Sequence, residues 1–244
     1  MKNKNLTFKK YAGIPEQAFV LVFDLESFSK FFSQPDVYYY VAKYLNKAFQ
    51  AMDILIGGGD AFWLSGKNKD EPNKKIKTFR EPVHIKFMGD GALYIWTYKP
   101  EEEKEFRNSL IAFINNLWNF RIWFDAFIES CSDDVPVVDL PRNIRFGMAS
   151  GSVYKLSYEK SRDTEYIGYC INLASRLQLY CRDLGFIASA RISVDKAKLE
   201  KHKYHRVIAK KLRGLPDEIV IVDKENYDDL DPEIKEELFM ELSK

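Results

Sequence analysis

Two aspartates stand where short apolar stretches of the sequence end. Asp24 follows the uncharged run AFVLVF, which is typical of a fully buried strand, and Asp90 lies at the tip of a predicted hairpin, VHIKFM–GDG–ALYIW. In a split βαβ sheet the first strand lies beside such a hairpin, so both carboxylates could reach one edge. Paired carboxylates on a rigid backbone suit Mg²⁺ or Mn²⁺, which leave coordination positions for substrate phosphates. Asp-Gly is also a common hairpin turn that needs no metal, so this pattern alone leaves both interpretations open.

A second pair of polar residues lies in the segment EYIGYCINLASRL. Asn172 and Arg176 are four residues apart on a helix predicted over Tyr169–Leu184, so they project from one face. A carboxamide and a guanidinium in that arrangement could bind a ribose and a developing phosphate charge together. A surface helix with a solvated arginine is the alternative on spacing alone.

The elements that must position these residues follow an α+β order, with one antiparallel-rich sheet covered by helices. Four helices are predicted: one from an N-cap at Asp36 to Gly57–Gly59, one over Glu101–Ser130, one from Tyr169 to a stop at Gly185, and one from Asp231. Further strands are predicted at Asn143–Ser150, with Val153–Leu156 as its hairpin partner, at Tyr204–Ala209 and at Glu218–Val222. The lysine-rich segment 67–81 is predicted to be an exposed loop.

Composition argues against several classes of protein. Lys and Arg number 37 against 36 Asp and Glu, a balance that does not favour binding to nucleic acid or to an anionic membrane through net charge. The longest uncharged stretch, Asn108–Phe120, is too short to cross a bilayer, and the N-terminus lacks the apolar region of a secretory signal. Cys131, Cys170 and Cys181 lack CxxC spacing, and His202 and His205 stand in a lysine-rich segment. We therefore expect a reduced, cytoplasmic protein without a zinc site.

Five segments, in order, resemble the motifs of class III nucleotidyl cyclases. They are FDLESFSKF, IKFMGDGALYIW, RFGMASGSV, GYCINLASRL and KKLRGLPDEIVIV, which together run from Phe23 to about Val222. The resemblance implies a ferredoxin-like, palm-type βαββαβ fold and a single catalytic domain over 1–244. The motif-bearing core would be about 18–223, and 224–244 would be an acidic C-terminal helix.

Residue roles follow from that resemblance. Asp24 and Asp90 would hold two Mn²⁺ or Mg²⁺ ions with help from the Leu25 carbonyl, and the backbone NH groups from Leu25 to Phe28 would hold the triphosphate. Asn172 would orient the ribose, and Arg176 would stabilise the transition-state charge on the α-phosphate. In this family the two aspartates come from one subunit and the Asn/Arg pair from the other, which implies a homodimer with shared active sites. Arg213, with Lys210 and Lys211 nearby, matches the family's terminal phosphate-binding cation.

Base choice in the family rests on two positions, which here are Lys86 and Glu165. Lys86 donates, so it could meet a ring nitrogen or a carbonyl. Glu165 accepts, so it could take the exocyclic amine of adenine or cytosine or the N3–H of uracil. Guanine is disfavoured, and this argument does not separate the other three bases.

The run from Phe23 to Phe49, followed by KFMGDGALYIW, is most similar to the pyrimidine cyclases of bacterial Pycsar anti-phage systems. That similarity implies synthesis of cyclic UMP from UTP, or of cyclic CMP from CTP, as a messenger for a separate effector. The alternatives are an ordinary bacterial adenylyl cyclase and a catalytically inactive nucleotide-binding module. A diguanylate cyclase is disfavoured because the hairpin reads MGDGA and the chain has an N-x-A-S-R helix.

Overall fold

A mostly antiparallel sheet of nine strands organises the computed structural model, which describes residues 13–59, 79–157, 164–194 and 203–242. The strands are β1 Glu16–Leu25, β2 His84–Phe87, β3 Gly91–Tyr98, β4 Ile144–Ser157, β5 Thr164–Ile167, β6 Phe186–Ser189, β7 Tyr204–Ala209, β8 Glu218–Asp223 and β9 Phe239–Glu241. Their order is β2-β3-β1-β4-β6-β8-β7-β9, and β5 pairs with β4. Among the strands of the described residues, only β4 and β6 run parallel, so the expected α+β class is confirmed.

Seven α-helices in the described residues pack against this sheet. They are α1 Phe28–Phe32, α2 Val41–Gly57, α3 Glu103–Ile122, α4 Phe124–Ser132, α5 Tyr169–Tyr180, α6 Lys224–Asp228 and α7 Pro232–Leu238. Short 3₁₀ turns lie at Val37–Tyr39, Pro100–Glu102 and Ala190–Ile192. No helix in the described ranges is both long enough and apolar enough to span a bilayer.

The central strand β1 is buried on both faces, which explains its continuous apolar sequence. Phe19, Leu21 and Phe23 pack with α2, α3 and α4 in an aromatic core. Ala18 and Val20 point the opposite way and pack with α5 in a second core. Side chains alternate along a strand, so Asp24, at the end of β1, falls on the α5 side.

Several predicted boundaries are wrong. The strand predicted to turn at Gly151 continues as one strand, β4, through Ser157. The helix predicted over Glu101–Ser130 is divided at Trp123 into α3 and α4. Asp36 makes no capping hydrogen bond, and α2 begins only at Val41.

The carboxyl-terminal part of the fold also departs from expectation. Helix α5 ends at Tyr180, before Gly185. The helix predicted from Asp231 is present as α7, with Asp231 accepting from Glu233 N at 2.8 Å, but strand β9 follows it. Most of the predicted loop 67–81 lies outside the described residues. Of its described residues, Glu81 is exposed as predicted, whereas Phe79 is buried at 2 % exposure in the aromatic core.

Candidate active site

The β1 terminus and the β2–β3 hairpin bring Asp24 and Asp90 together. Asp24 pairs with Gly91 of β3, and the Leu25 amide donates to the Asp90 carbonyl at 2.9 Å. A Cβ atom on Gly91 would lie 1.9 Å from the Phe23 carbonyl oxygen. Only glycine allows the two strands to approach this closely, so Gly91 sets the proximity of the two carboxylates.

The carboxylates of Asp24 and Asp90 lie close together at this point, and the guanidinium of Arg145 lies beside them. Burial, the neighbouring Asp24 carboxylate and a hydrogen bond with Asp24 raise the pKa of Asp90, while Arg145 acts in the opposite direction. Arg145 lies opposite Asp24 on β4 and forms an ion pair with it. Both side chains are nearly buried, at 12 % and 14 % exposure respectively. The Arg145 Nε atom has no acceptor among the described residues.

The donor set at this edge suits a hard divalent cation. Two carboxylates held together against their mutual repulsion are oxygen ligands of the kind that Mg²⁺ and Mn²⁺ prefer. Within the described ranges, no group of three or more His, Cys, Asp and Glu side chains gathers around a candidate metal position. The remaining coordination would therefore come from backbone carbonyls, water and substrate oxygens.

The turn after β1 is held by the segment that precedes β4. The Glu26 amide donates to the Asn143 carbonyl at 2.9 Å, and Asn143 Nδ2 donates to the Glu26 carboxylate at 3.1 Å. Ser27 adopts a left-handed conformation with φ 64°. The Phe28 side chain is in the core, so only its backbone could contact a substrate. Because the Leu25 and Glu26 amides already donate to carbonyl groups, the NH groups of Ser27 and Phe28 are better placed to bind an anion.

A cavity of about 380 Å³ opens beside this turn. Its lining residues are Glu26, Ser27, Lys30, Asp139, Leu140, Arg142 and Asn143. Lys30 and Asp139 form an ion pair across it at 3.1 Å. Two cationic and two anionic side chains therefore line the cavity, and its charges balance.

Lys86 and Glu165, predicted to read the base, contact each other. Lys86 Nζ lies 2.7 Å from Glu165 Oε1, and the hydrogen bond from Lys86 lowers the pKa of Glu165. Lys86 pairs with Leu93, whose side chain belongs to the α5-side core, so this contact lies on the same side of the sheet as Asp24. The structure thus gathers a donor and an acceptor, and each is partly exposed to solvent.

Asn172 and Arg176 lie on the exposed side of α5. The helix sits directly on β4, because a Cβ atom on Gly147 would lie 2.1 Å from the Ala174 carbonyl oxygen. No hydrogen bond or ion pair within the described part of the chain joins Asn172 or Arg176 to Asp24 or Asp90. The described residues of one chain therefore show no direct hydrogen bond or ion pair between the two predicted pairs.

Arg213 lies in the turn between β7 and β8, and its side chain is exposed. Lys211, two residues earlier, has a left-handed backbone with φ 57°. Lys211 Nζ forms an ion pair with Glu237 Oε1 at 3.0 Å. Arg213 itself has no ion-pair partner among the described residues.

Sequence reasoning missed Arg145. Its signal was a charged residue between Ile144 and Phe146, inside a segment predicted to be a buried strand. A buried arginine needs an anionic partner. Identifying Asp24 as that partner required the register of β1 against β4, which no local pattern encodes.

Comparison of the sequence with protein-family models and with curated proteins finds no match. Solved structures give a different result. The guanylyl cyclase Cya2 is similar with a TM-score of 0.59 and 18 % identity, over 86 % of this chain and 92 % of that one. The adenylyl cyclase CyaB from P. aeruginosa is similar with a TM-score of 0.58 and 17 % identity, over 87 % of this chain and 96 % of that one. The guanylate cyclase domain of RhGC from Catenaria anguillulae, in complex with GTP, is similar with a TM-score of 0.55 and 16 % identity, over 86 % of this chain and 96 % of that one. The described residues therefore have the fold of class III nucleotidyl cyclase catalytic domains.

Proposed function

We propose that the protein is a nucleotidyl cyclase that converts UTP to 3′,5′-cyclic UMP and pyrophosphate. The observation that carries this proposal is the juxtaposition of Asp24 and Asp90 at the end of β1, within a cyclase catalytic fold. A fold can serve many functions, so the argument rests on the site. The residues proposed to act in the reaction all lie within the described ranges.

Asp24 and Asp90 would hold two Mn²⁺ or Mg²⁺ ions, with the Leu25 carbonyl as a further ligand. Such ions, when bound, activate the attacking hydroxyl and neutralise charge on the phosphates. The chain itself places the carboxylates and limits their separation through Gly91. Arg145, whose Nε atom lacks an acceptor, would offer a guanidinium to the phosphates once Asp24 turns to its ligand role.

The remaining groups would come from a second copy of the chain. Asn172 of the partner subunit would orient the ribose, and Arg176 of the partner subunit would stabilise charge on the α-phosphate. The 3′-hydroxyl would give up its proton to solvent water, its oxygen would attack the α-phosphorus in line, the bond from the α-phosphorus to the bridging oxygen would break, and pyrophosphate would leave. Positioning and charge stabilisation account for most of the rate in such phosphoryl chemistry. An active site shared across a homodimer follows from this division.

The pyrimidine assignment rests on Lys86 and Glu165 together with the sequence resemblance. Glu165 would accept the N3–H of uracil, and Lys86 would donate to a carbonyl. The same pair could accept cytosine or adenine through the exocyclic amine. Cytidylate cyclase and adenylyl cyclase activities are therefore the second candidates, and the adenylyl cyclase CyaB is among the similar structures.

Cyclic UMP would serve as a messenger in anti-phage defence. A separate effector that binds the cyclic nucleotide would then act on the host cell. The proposed division of labour needs no contact between cyclase and effector, because a diffusible product connects them.

The test supplies ATP, GTP, CTP and UTP separately, with Mn²⁺, and identifies products by mass spectrometry. Asp90→Ala serves as the blank, and Asp134→Ala, which alters a carboxylate paired with Lys47, is the matched control. Cyclic UMP would support the proposal. Formation of cyclic CMP or cyclic AMP alone would be consistent with the proposed mechanism and would overturn the proposal that UTP is the substrate. The absence of product from all four nucleotides would overturn the proposed activity.

A further inference from the structure

The end of α5 is tied to two other parts of the chain by one hydroxyl group. The Tyr180 hydroxyl lies between the carbonyl oxygens of Lys210 and Leu238, the second at 2.5 Å. Its single proton is shared between two acceptors. The Lys210 amide donates to the same Leu238 carbonyl at 2.8 Å. Helix α5, the turn after β7 and the end of α7 therefore meet at one point.

Two lysines of this turn are directed toward α7. Lys210 Nζ donates to the Glu236 carbonyl at 2.5 Å, and Lys211 Nζ pairs with Glu237. Arg213, in contrast, has no partner within the described ranges. The acidic C-terminal segment therefore contacts both lysines and leaves Arg213 as the cation of the turn that is available to a ligand.

Tyr180 continues the row of Asn172 and Arg176 along α5, but its side chain is half-buried. It lies one helical turn after Arg176, which lies one turn after Asn172, so the three side chains project from neighbouring positions along one stripe. The Tyr180 ring packs against Phe239 of β9, with ring centroids 5.6 Å apart. Burial is the main cause of a raised pKa of Tyr180, which keeps the phenol protonated as a donor.

We propose that Tyr180 is a positioning residue: it fixes the Lys210–Arg213 turn beside α5 so that Arg213 and Arg176 present one cationic surface to the phosphates of the substrate. This inference rests on the proposed function, because it assigns Arg213 to triphosphate binding. The left-handed Lys211 supports it, since such a conformation in a non-glycine residue persists where surrounding contacts impose it. The contacts from Tyr180, Leu238 and Glu237 supply that constraint.

The test compares Tyr180→Phe, which removes the hydroxyl and keeps the ring, with Tyr204→Phe. The Tyr204 hydroxyl donates to Asn115 at 2.8 Å, away from the turn, so this variant loses a comparable hydrogen bond. The probe is inorganic pyrophosphate with Mn²⁺, measured by calorimetry. Tyr180→Phe should weaken pyrophosphate binding about three- to tenfold and speed amide exchange at Lys210. Tyr204→Phe should do neither.

A double-mutant cycle distinguishes positioning from a general loss of stability. If Tyr180 acts through Arg213, adding Tyr180→Phe to Arg213→Ala should weaken pyrophosphate binding little further. Additive losses, or unchanged affinity in Tyr180→Phe, would overturn the inference.

The proposed function can fail separately. Pyrophosphate binding that depends on Tyr180 and Arg213, in a protein that cyclises no nucleotide, would support the positioning role and reject the cyclase. Cyclase activity in the wild type, with unchanged pyrophosphate affinity in Tyr180→Phe, would reject the positioning role alone.

Discussion

At the scale of single residues, the site gathers charges that are unfavourable without a ligand. Asp90 is partly buried beside Asp24, and both effects raise its pKa. Arg145 compensates only in part, because its ion pair is with Asp24. Proteins keep such arrangements where a bound group makes use of them, and the cost then appears as lower stability of the free protein.

Replacing Asp90 with Asn should therefore stabilise the metal-free protein at neutral pH. Because the folded-state pKa of Asp90 is raised, the folded protein takes up a proton more readily than the unfolded chain. The wild type therefore loses stability as pH rises from roughly 4, the pKa of Asp90 in the unfolded chain, through the raised pKa in the folded protein. The Asn variant has no such loss, because its side chain cannot ionise. The gain in Tm should thus vanish at low pH, and Mn²⁺ should no longer raise Tm.

Asp134→Asn is the matched control, with the opposite sign. The hydrogen bond from Lys47 lowers the pKa of Asp134. Loss of that carboxylate should reduce Tm at neutral pH, and the difference should shrink as pH falls. A Tm of Asp90→Asn at or below the wild-type value at pH 7 would contradict the electrostatic account of the site.

Glu165→Gln tests the reading of the base. The amide keeps the size of the side chain but loses the charge that pairs with Lys86, so the acceptor becomes weaker. We expect kcat/KM for the preferred nucleotide to fall about tenfold or more. The ratio of the kcat/KM values for the four nucleotides should also change. Glu102→Gln, which removes a carboxylate paired with Arg80, should leave that ratio unchanged. An unaltered ratio in Glu165→Gln would remove Glu165 from base recognition.

At the scale of elements, the sequence predicts best what is local. Strand β1 and the β2–β3 hairpin are recognisable because an uninterrupted apolar run and a Gly-Asp-Gly turn each carry their own signal. The continuation of β4 past Gly151 was not predicted. In a sequence, a glycine that lies inside a strand because another element packs closely on it looks the same as a glycine that forms a turn. A Cβ atom at Gly151 would lie 3.2 Å from the Cys170 Cβ atom, which shows that α5 rests on this strand.

The candidate site divides in the same way. Asp24 and Asp90 could be singled out from strand ends, and their proximity follows from a simple sheet order. Arg145 and Tyr180 could not be assigned, because their partners lie on distant strands and turns. Their roles depend on register and packing, which emerge only when the whole chain is folded.

Gly147→Ala tests how closely α5 must lie on the sheet. The added methyl group would meet the Ala174 carbonyl oxygen at 2.1 Å and the Gln178 amide nitrogen at 2.5 Å, and neither backbone atom can rotate away. We expect a loss of about 1–3 kcal/mol in the free energy of unfolding, or a Tm lower by about 2–4 °C for each kcal/mol. Gly151→Ala on the same strand comes nearest to the Cys170 Cβ atom, at 3.2 Å, which is a much looser contact, and should cost less. Equal losses in thermal denaturation would mean that α5 can shift.

At the scale of the whole molecule, the residues proposed for the reaction form two pairs that no hydrogen bond or ion pair joins within the described residues. Asp24 lies at the end of β1 and Asp90 in the β2–β3 hairpin, while Asn172 and Arg176 lie on the exposed side of α5. A single chain would then hold the metal ligands in one place and Arg176, the cation proposed to stabilise the transition state, in another. A second copy in head-to-tail orientation would bring the two pairs together and create two equivalent sites.

Mixing two inactive variants tests this arrangement. A heterodimer of Asp90→Ala and Arg176→Ala chains contains one site with both defects and one site with none. If subunits exchange freely at equal concentration, about one quarter of all sites should be intact, and cyclase activity should return to about that fraction of the wild-type value. Each variant alone, and a mixture of Asp24→Ala with Asp90→Ala, should stay inactive, since the latter pair always leaves a damaged carboxylate in every site. Exchange is verified by mass spectrometry of differently tagged chains. Exchanged but inactive heterodimers would show that each chain must supply both pairs itself, and the shared site would then be wrong.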